Sequence, residues 1–249
     1  VNMPDFASSV NSVQIQRGVG TSTNGAGAFG ASVNLETNVY SKNAFAEINN
    51  SFGTFGTRKH NLILNSGLLD DHWSFEGKIS EIHSDGYVDR ASADLNSYFL
   101  SANYIGKKTM VKALMFGGQE ETYQSWNGVD ENTLKKDRTY NSAGLYYDEN
   151  GDPQFYDREV DHYNQDHYQL HINHRVNAVW TLNAALHYTK GKGYYEQYKQ
   201  DQPFSDYNLP DIEIGDDTIS STDLIRRRWL DNDFYGFTYG INYDQGDLS

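Results

Sequence analysis

The feature that most restricts this chain is a two-residue alternation of apolar and polar side chains that returns along most of its length. Residues 44–52 put Ala44, Ala46, Ile48 and Phe52 on one face against Glu47, Asn49 and Ser51. Residues 72–82 oppose Trp73, Phe75 and Ile79 to Ser74, Glu76, Lys78 and Ser80. The same holds for Tyr168, Leu170, Ile172 and Val176 against Gln169, His171, Asn173 and Arg175, and for Trp180, Leu182, Ala184, Leu186 and Tyr188 against Thr181, Asn183 and His187. Residues 233–243 close the series with Tyr235, Phe237, Tyr239, Ile241 and Tyr243 on one side. A period of two is that of a strand with two unlike faces. With the less regular segments 57–68, 95–106 and 108–119, about eight strands are expected, each of roughly ten residues or more. Soluble sheets favour strands of about five or six residues.

The links between these strands alternate in length. Leu69-Asp70-Asp71, Gly106-Lys107-Lys108 and Asn177-Ala178 are tight, whereas 84–94, 120–161 and 193–225 are long, with a short 53–56 link first in that second series. If neighbours run antiparallel, every tight turn lies at one end and every long loop at the other. Long strands sorted this way predict an all-β, transmembrane antiparallel β-barrel, whose strands cross lipid in about 9–11 tilted residues. The composition agrees. Only 37% of residues are hydrophobic, yet 14% are aromatic, including 19 tyrosines, as expected when one face of each strand meets lipid and the other meets water. Charge sorts with the loops: 120–161 carries 11 acidic against 4 basic residues, and 193–225 carries 8 against 1, which accounts for the net charge of −14.

Several functions are excluded at this point. With no cysteine there is no disulfide framework, thiolate metal site or cysteine nucleophile. The acidic balance opposes nucleic-acid binding. His162, His167, His171 and His174 do not make one metal site, because His167 and His171 lie about 13 Å apart along a strand and His174 faces the other way. Lumen-facing polar roles suit these histidines better. Asp148 to Pro153 (DENGDP) lacks the full spacing of a calcium loop and reads as a turn. No cofactor, metal or catalytic residue is expected, and the protein is not read as an enzyme.

Residues 1–40 differ from the rest. The stretch Val10 to Thr37, VNSVQIQRGVGTSTNGAGAFGASVNLET, resembles the end of the plug domain of TonB-dependent outer-membrane receptors. The resemblance rests on the strand Val13-Gln14-Ile15-Gln16, the pair Arg17-Gly18, the glycines Gly25, Gly27 and Gly30, and the closing strand Val33 to Thr37. "SFGTFGTRKHNL" and "GGQEETYQSWNGV" further along are also similar to this family. Gly25 to Gly30 formally matches GxGxxG, but a strand follows where a dinucleotide fold needs a helix. The resemblance implies that residues 1–40 are the C-terminal part of a plug and that 41–249 are the first strands of a barrel of 22, with long extracellular loops at 120–161 and 193–225. A closed eight-stranded barrel would be filled by its own side chains, leaving no room for a plug. The chain is therefore expected to be a fragment of a longer receptor.

The family resemblance implies active uptake of a scarce small ligand across the outer membrane of a Gram-negative bacterium. A ferric siderophore is the first candidate, with cobalamin and glycans as alternatives, and the energy comes from the TonB–ExbB–ExbD complex. The acidic loops disfavour a strongly anionic ferric complex. A passive porin or adhesin is the rival of another class, and the plug-like segment argues against it. Candidate ligand-contacting residues are the ring-bearing and basic side chains of the long loops: Tyr123, Trp126, Arg138, Tyr140, Tyr146, Tyr147, Tyr156, Tyr194 and Tyr195. Such rings suit a bulky amphipathic ligand; they equally suit packing of loop on loop or an interfacial belt.

Overall fold

The computed structural model describes residues 3–19, 29–37 and 41–244. The repeated alternation folds as expected into one sheet of eight antiparallel strands. These are β3 (Ala44–Phe52), β4 (Arg58–Ser66), β5 (Trp73–Ser84), β6 (Ala93–Ile105), β7 (Thr109–Tyr123), β10 (Val160–Arg175), β11 (Trp180–Pro203) and β14 (Ser221–Tyr243). Each pairs with its neighbour in chain order, so the sheet reads β3-β4-β5-β6-β7-β10-β11-β14 and stays open at both edges. The tight links 67–72, 106–108 and 176–179 fall at one end and the long ones at the other.

Three small hairpins complete the described residues. β1 (Val10–Arg17) pairs with β2 (Ala31–Thr37), matching the two strands expected in the glycine-rich stretch. Within the link from β7 to β10 lie a short helix α1 (Glu131–Lys136), β8 (Leu145–Tyr147) and β9 (Pro153–Phe155). The DENGDP turn joins β8 to β9: Asp148 accepts from the Asn150 and Asp152 N–H groups, each at 2.9 Å. Between β11 and β14, β12 (Ile212–Ile214) and β13 (Asp217–Ile219) form the third.

The two faces of the wall have different neighbours. Residues 3–9 lie on the face carrying Lys78, Ser80, Phe99 and Phe116, which we term inward. Asp5 accepts from Ser80 Oγ at 2.6 Å and pairs with Lys59 and Lys78, and its own carbonyl accepts from Lys78 at 2.6 Å. Phe6 packs on Phe116 with ring centres 4.7 Å apart, joining the small core of Phe99, Leu114 and Phe116. Thr37 receives Lys112 at 2.7 Å. A cleft of about 1180 Å³ lies between β2 and the inward side of β7, β10, β11 and β14.

The outward face is apolar and open. Leu186 is 55% exposed and Phe237 69%, values that water would penalise by about 25 cal/mol per Å². Aromatic rings bound this band on both sides. Trp73 and Tyr104 meet at 5.0 Å, and Trp180 and Tyr243 at 4.7 Å, near the tight turns. Tyr168 stacks on Tyr188 at 5.9 Å toward the long loops, in register with Tyr235. From Trp180 to Tyr188 is about 26 Å along the strand. Directly beyond, Lys190 bonds Asp231 at 2.5 Å and Asp233 at 2.8 Å, where a charged face begins.

The expected loop limits are too wide. β7 runs to Tyr123 and β10 begins at Val160, so 120–161 contracts to 124–159. β11 runs to Pro203 and β14 begins at Ser221, so 193–225 contracts to 204–220. The physical reason is that beyond Lys190 and Asp233 neither face is continuously apolar: outward, Glu196, Arg227 and Asp223 interrupt Tyr194, Trp229 and Ile225. Alternation fades from the sequence while the backbone ladder continues from Tyr194↔Trp229 to Lys199↔Leu224. The histidines are also corrected in part. His167 and His171 face inward, but His162 and His174 have the outward parity of Tyr168 and Ile172.

Candidate functional site

Chemistry-bearing side chains concentrate on the upper parts of β11 and β14 and the link that folds against them. Parity decides which way each points. On β11 the even residues continue the Trp180–Tyr188 face outward; on β14 the odd residues do so. Tyr194 is therefore outward and Tyr195 inward, although both were expected in one loop. They are strand residues.

Outward, Glu196 is the centre of a network. It is 1% exposed, with its carboxylate accepting from Tyr156 Oη and Arg227 Nε, each at 2.6 Å, and Arg158 Nε 3.6 Å away. Burial acts to raise the Glu196 pKa, but the Tyr156 hydroxyl and the two guanidinium groups together outweigh it and hold the carboxyl below its usual range. The rings around it interlock: Tyr146 lies 4.6 Å from Tyr198, and Tyr194 lies 4.8 Å from Trp229 and 5.3 Å from His162. Tyr198 donates to Asp223 at 2.5 Å, a bond that pushes its phenol up to about 12. Gln200 and the backbone of Tyr147 exchange two hydrogen bonds, at 2.6 and 3.2 Å.

The root of the link is tied as firmly. Tyr123 is buried, and its hydroxyl donates to the carbonyl of Tyr156 at 2.6 Å, with that of Ala143 3.1 Å away. Arg90 bonds the Asn141 carbonyl and stacks 3.8 Å over Phe155. Tyr140 meets Phe155 edge-on. Asn141 donates to the carbonyls of Asp89 and Gln124. Where β10 stops, β11 loses a ladder partner. Gln124 fills the gap by donating to the carbonyls of Val160 and Glu196, and buried Glu159 accepts the Tyr198 N–H at 3.0 Å. Gln124, Asn141, Glu159, Arg90 and Glu196 were not expected from sequence. Each acts mainly on backbone or side-chain groups distant in the chain, which no local pattern announces.

Inward, the cluster is smaller. Trp126, 63% exposed, meets Tyr195 edge-on at 6.4 Å. Arg228 Nη1 donates to Tyr195 Oη at 2.8 Å, and Arg226 Nη2 donates to Gln197 at 2.7 Å. Below them Tyr163 lies across Gly191 and Gly193, and Asn232 donates to its hydroxyl at 2.9 Å. A Cβ on Gly193 would collide with the His162 carbonyl and come within 2.6 Å of the Tyr163 Cα; only glycine lets the ring approach so closely.

The expected contact residues thus divide. Tyr123, Tyr140, Tyr146 and Tyr156 knit the link together or to the wall, and Tyr194 belongs to the outward ladder. Tyr147 and Arg138 are exposed. Trp126 and Tyr195 meet on the inward side. In the glycine-rich stretch, Gly18 turns with φ +86° and donates to the Gly30 carbonyl at 2.8 Å. Gly30 has open space at its Cβ position, and Arg17 is exposed. Gly25 and Gly27 lie outside the described residues. The lumen-side histidines are ordinary partners, His167 stacking on Phe116 at 4.7 Å and bonding Thr189.

No family model and no curated protein matches the chain. Solved structures do. The open form of the ferric-catecholate import receptor Fiu from E. coli K12 superposes with a TM-score of 0.64 at 12% identity, covering 94% of this chain and 36% of that one. Its closed form gives 0.57 at 13%, covering 87% and 31%. The siderophore receptor PiuA from Acinetobacter baumannii gives 0.60 at 15%, covering 96% and 33%. The chain shares the fold of part of these receptors and spans about a third of their length.

Proposed function

We propose that this chain is part of a TonB-dependent outer-membrane receptor for active uptake of a scarce small ligand, most simply a ferric siderophore. Residues 1–40 supply the end of its plug and 41–249 the first strands of its barrel. The carrying observation is the seating of residues 3–9 and Thr37 on the inward side of a wall whose outward side is an apolar band between two aromatic rims. The likeness to two siderophore receptors supports the same reading. A segment seated in the lumen disfavours an open diffusion porin. In this reading the TonB–ExbB–ExbD complex works on the plug, and binding energy replaces covalent chemistry throughout.

The test is membrane fractionation of cells carrying the full-length protein. Growth of a deletion strain on single ferric siderophores under iron restriction completes it. Outer-membrane location with loss of growth on at least one siderophore supports the proposal. A soluble protein, or growth on every iron source with and without the gene, sinks it.

A further inference from the structure

The outward apolar band is not flush. Phe75, Ala102, Ala113, Leu170 and Leu186 form one row of it across five strands. Gly77 lies one row above, opposite Leu64 on β4 and Leu100 on β6. Gly77, Ala102 and Ala113 floor a groove of about 700 Å³, with Leu64, Phe75 and Leu100 standing around it. That volume falls within the roughly 300–1,000 Å³ of small-molecule sites.

No packing among the described residues accounts for Gly77. On the same wall, Gly117, Gly118, Gly191, Gly193 and Gly236 are each crowded by a protein atom where a Cβ would stand. At Gly77 the nearest such atom is Leu100 Cδ2 at 3.5 Å, an ordinary van der Waals distance. Its φ is not positive, and neither ladder beside it carries a bulge. A glycine inside a strand forgoes side-chain packing and costs backbone entropy. One that serves neither a bend nor a protein neighbour marks the close approach of another molecule.

Depth and charge identify that molecule. Trp73 of the aromatic rim near the tight turns stacks on Phe75, so the groove begins directly above that rim. Beneath Ala102 and Ala113 the register places Tyr104 and Val111, then the turn Gly106-Lys107-Lys108, whose two lysines are exposed. Lys107 is five residues from Ala102 and seven from Leu100. At about 3.3 Å per residue and a tilt of about 40° this is about 13–18 Å of depth, against about 15 Å for one leaflet of hydrocarbon. The acids of this end, Asp70 and Asp71, lie in the neighbouring link between β4 and β5, which steers an anionic headgroup to the β6–β7 turn.

We propose that the groove holds one acyl chain of an anionic phospholipid of the periplasmic leaflet, with its phosphate at Lys107 and Lys108. This rests on the outer-membrane placement in the reading above. The bound lipid differs from the bulk lipid around it in having a shaped seat for its chain and a fixed positive charge at the matching depth.

The test uses the full-length protein in vesicles of equimolar dioleoylphosphatidylglycerol and dioleoylphosphatidylcholine, released into mild detergent and weighed intact by native mass spectrometry. The expected result is one retained phospholipid, with phosphatidylglycerol favoured at least fivefold. Gly77→Leu with Ala113→Leu should lower retention at least tenfold, whereas Ala184→Leu on the same outward face should leave it unchanged. Lys107→Gln with Lys108→Gln should bring the preference to within twofold of parity. Heat-modifiable gel mobility of each variant reports a folded barrel; where the leucine pair does not fold, the glutamine pair decides. Unchanged retention in the folded leucine variant, an unchanged preference in the glutamine variant, or equal retention of the two lipids by the wild type overturns the proposal. So does an adduct of lipid A mass, or a dimer, in place of the phospholipid adduct when the protein is taken directly from outer membranes. Each of these failures leaves the receptor reading to the growth test above, whereas absence of the protein from the outer membrane overturns both.

Discussion

The Glu196 network predicts that one carboxylate keeps the large link docked on the outside of the wall. In Glu196→Ala the Tyr156 hydroxyl loses an ionised acceptor at 2.6 Å inside a site only 1% exposed. A hydrogen bond to a charged group contributes about 1.5–3 kcal/mol. Arg227 and Arg158 are roughly half exposed and regain water, so their share is small. A net loss of about 2 kcal/mol shifts the docked equilibrium about 30-fold. Chymotrypsin reads this directly, since cleavage after Tyr146, Phe155 or Tyr156 requires the β8–β9 hairpin to leave the wall, and slow cleavage tracks the open population. The intact full-length protein in its native membrane should be cut more than tenfold faster in Glu196→Ala. Glu196→Gln, which keeps an oxygen for Tyr156, should change the rate only a few-fold. A pH series adds a sign. The Glu196 pKa is held below its usual 4.5 in the docked state, so this stabilisation is present above pH 4.5 and is lost as pH falls through the lower, docked value. Cleavage of Glu196→Ala within twofold of wild type would refute the latch.

Three further outcomes follow from the wall itself. Leu186→Arg places a charge in the apolar band and should cost about 2–4 kcal/mol in lipid, seen as an earlier urea midpoint for loss of heat-modifiable mobility; an unchanged midpoint would mean that this face meets water. Gly193→Ala forces a Cβ against the His162 carbonyl and should destabilise by about 1–3 kcal/mol, whereas Gly128→Ala, with open space around it, should be silent in the same assay. Asp5→Ala strips Lys78, whose side chain is 2% exposed, of its counter-charge at a cost of up to about 3 kcal/mol. A cysteine at Ser9, whose hydroxyl is buried, should then react with maleimide at least tenfold faster, and equal rates would discount the contact.

How much of this was legible in the chain depends on whether a residue's role is set by its neighbours or by distant partners. The run Trp180 to Tyr188 announces its strand and its two faces because lipid-type and water-type side chains alternate there. From Lys190 to Pro203 the same strand continues with polar residues on both faces, so the pattern lapses and a loop is the natural reading. The consecutive tyrosines Tyr194 and Tyr195 show the consequence. Extending the parity of Trp180 by seven strand repeats sends them to opposite sides, but only once the strand is known to run that far. Gln124 and Glu159 were illegible for another reason: they satisfy the edge of β11 where β10 ends, a vacancy created by topology.

β11 has 24 residues, about 79 Å of ladder at 3.3 Å per residue, while about 11 suffice to cross lipid. Its upper half is a stiff hydrogen-bonded ribbon, so the groups it displays forfeit little freedom when they grip something. Under the receptor reading proposed above, change toward a new cargo is confined to every second position. Between residues 193 and 199, replacements at 195, 197 and 199 should retune what is gripped, and those at 194, 196 and 198 should loosen the neighbouring surface segment. A saturation scan of this stretch would carry a rhythm of two.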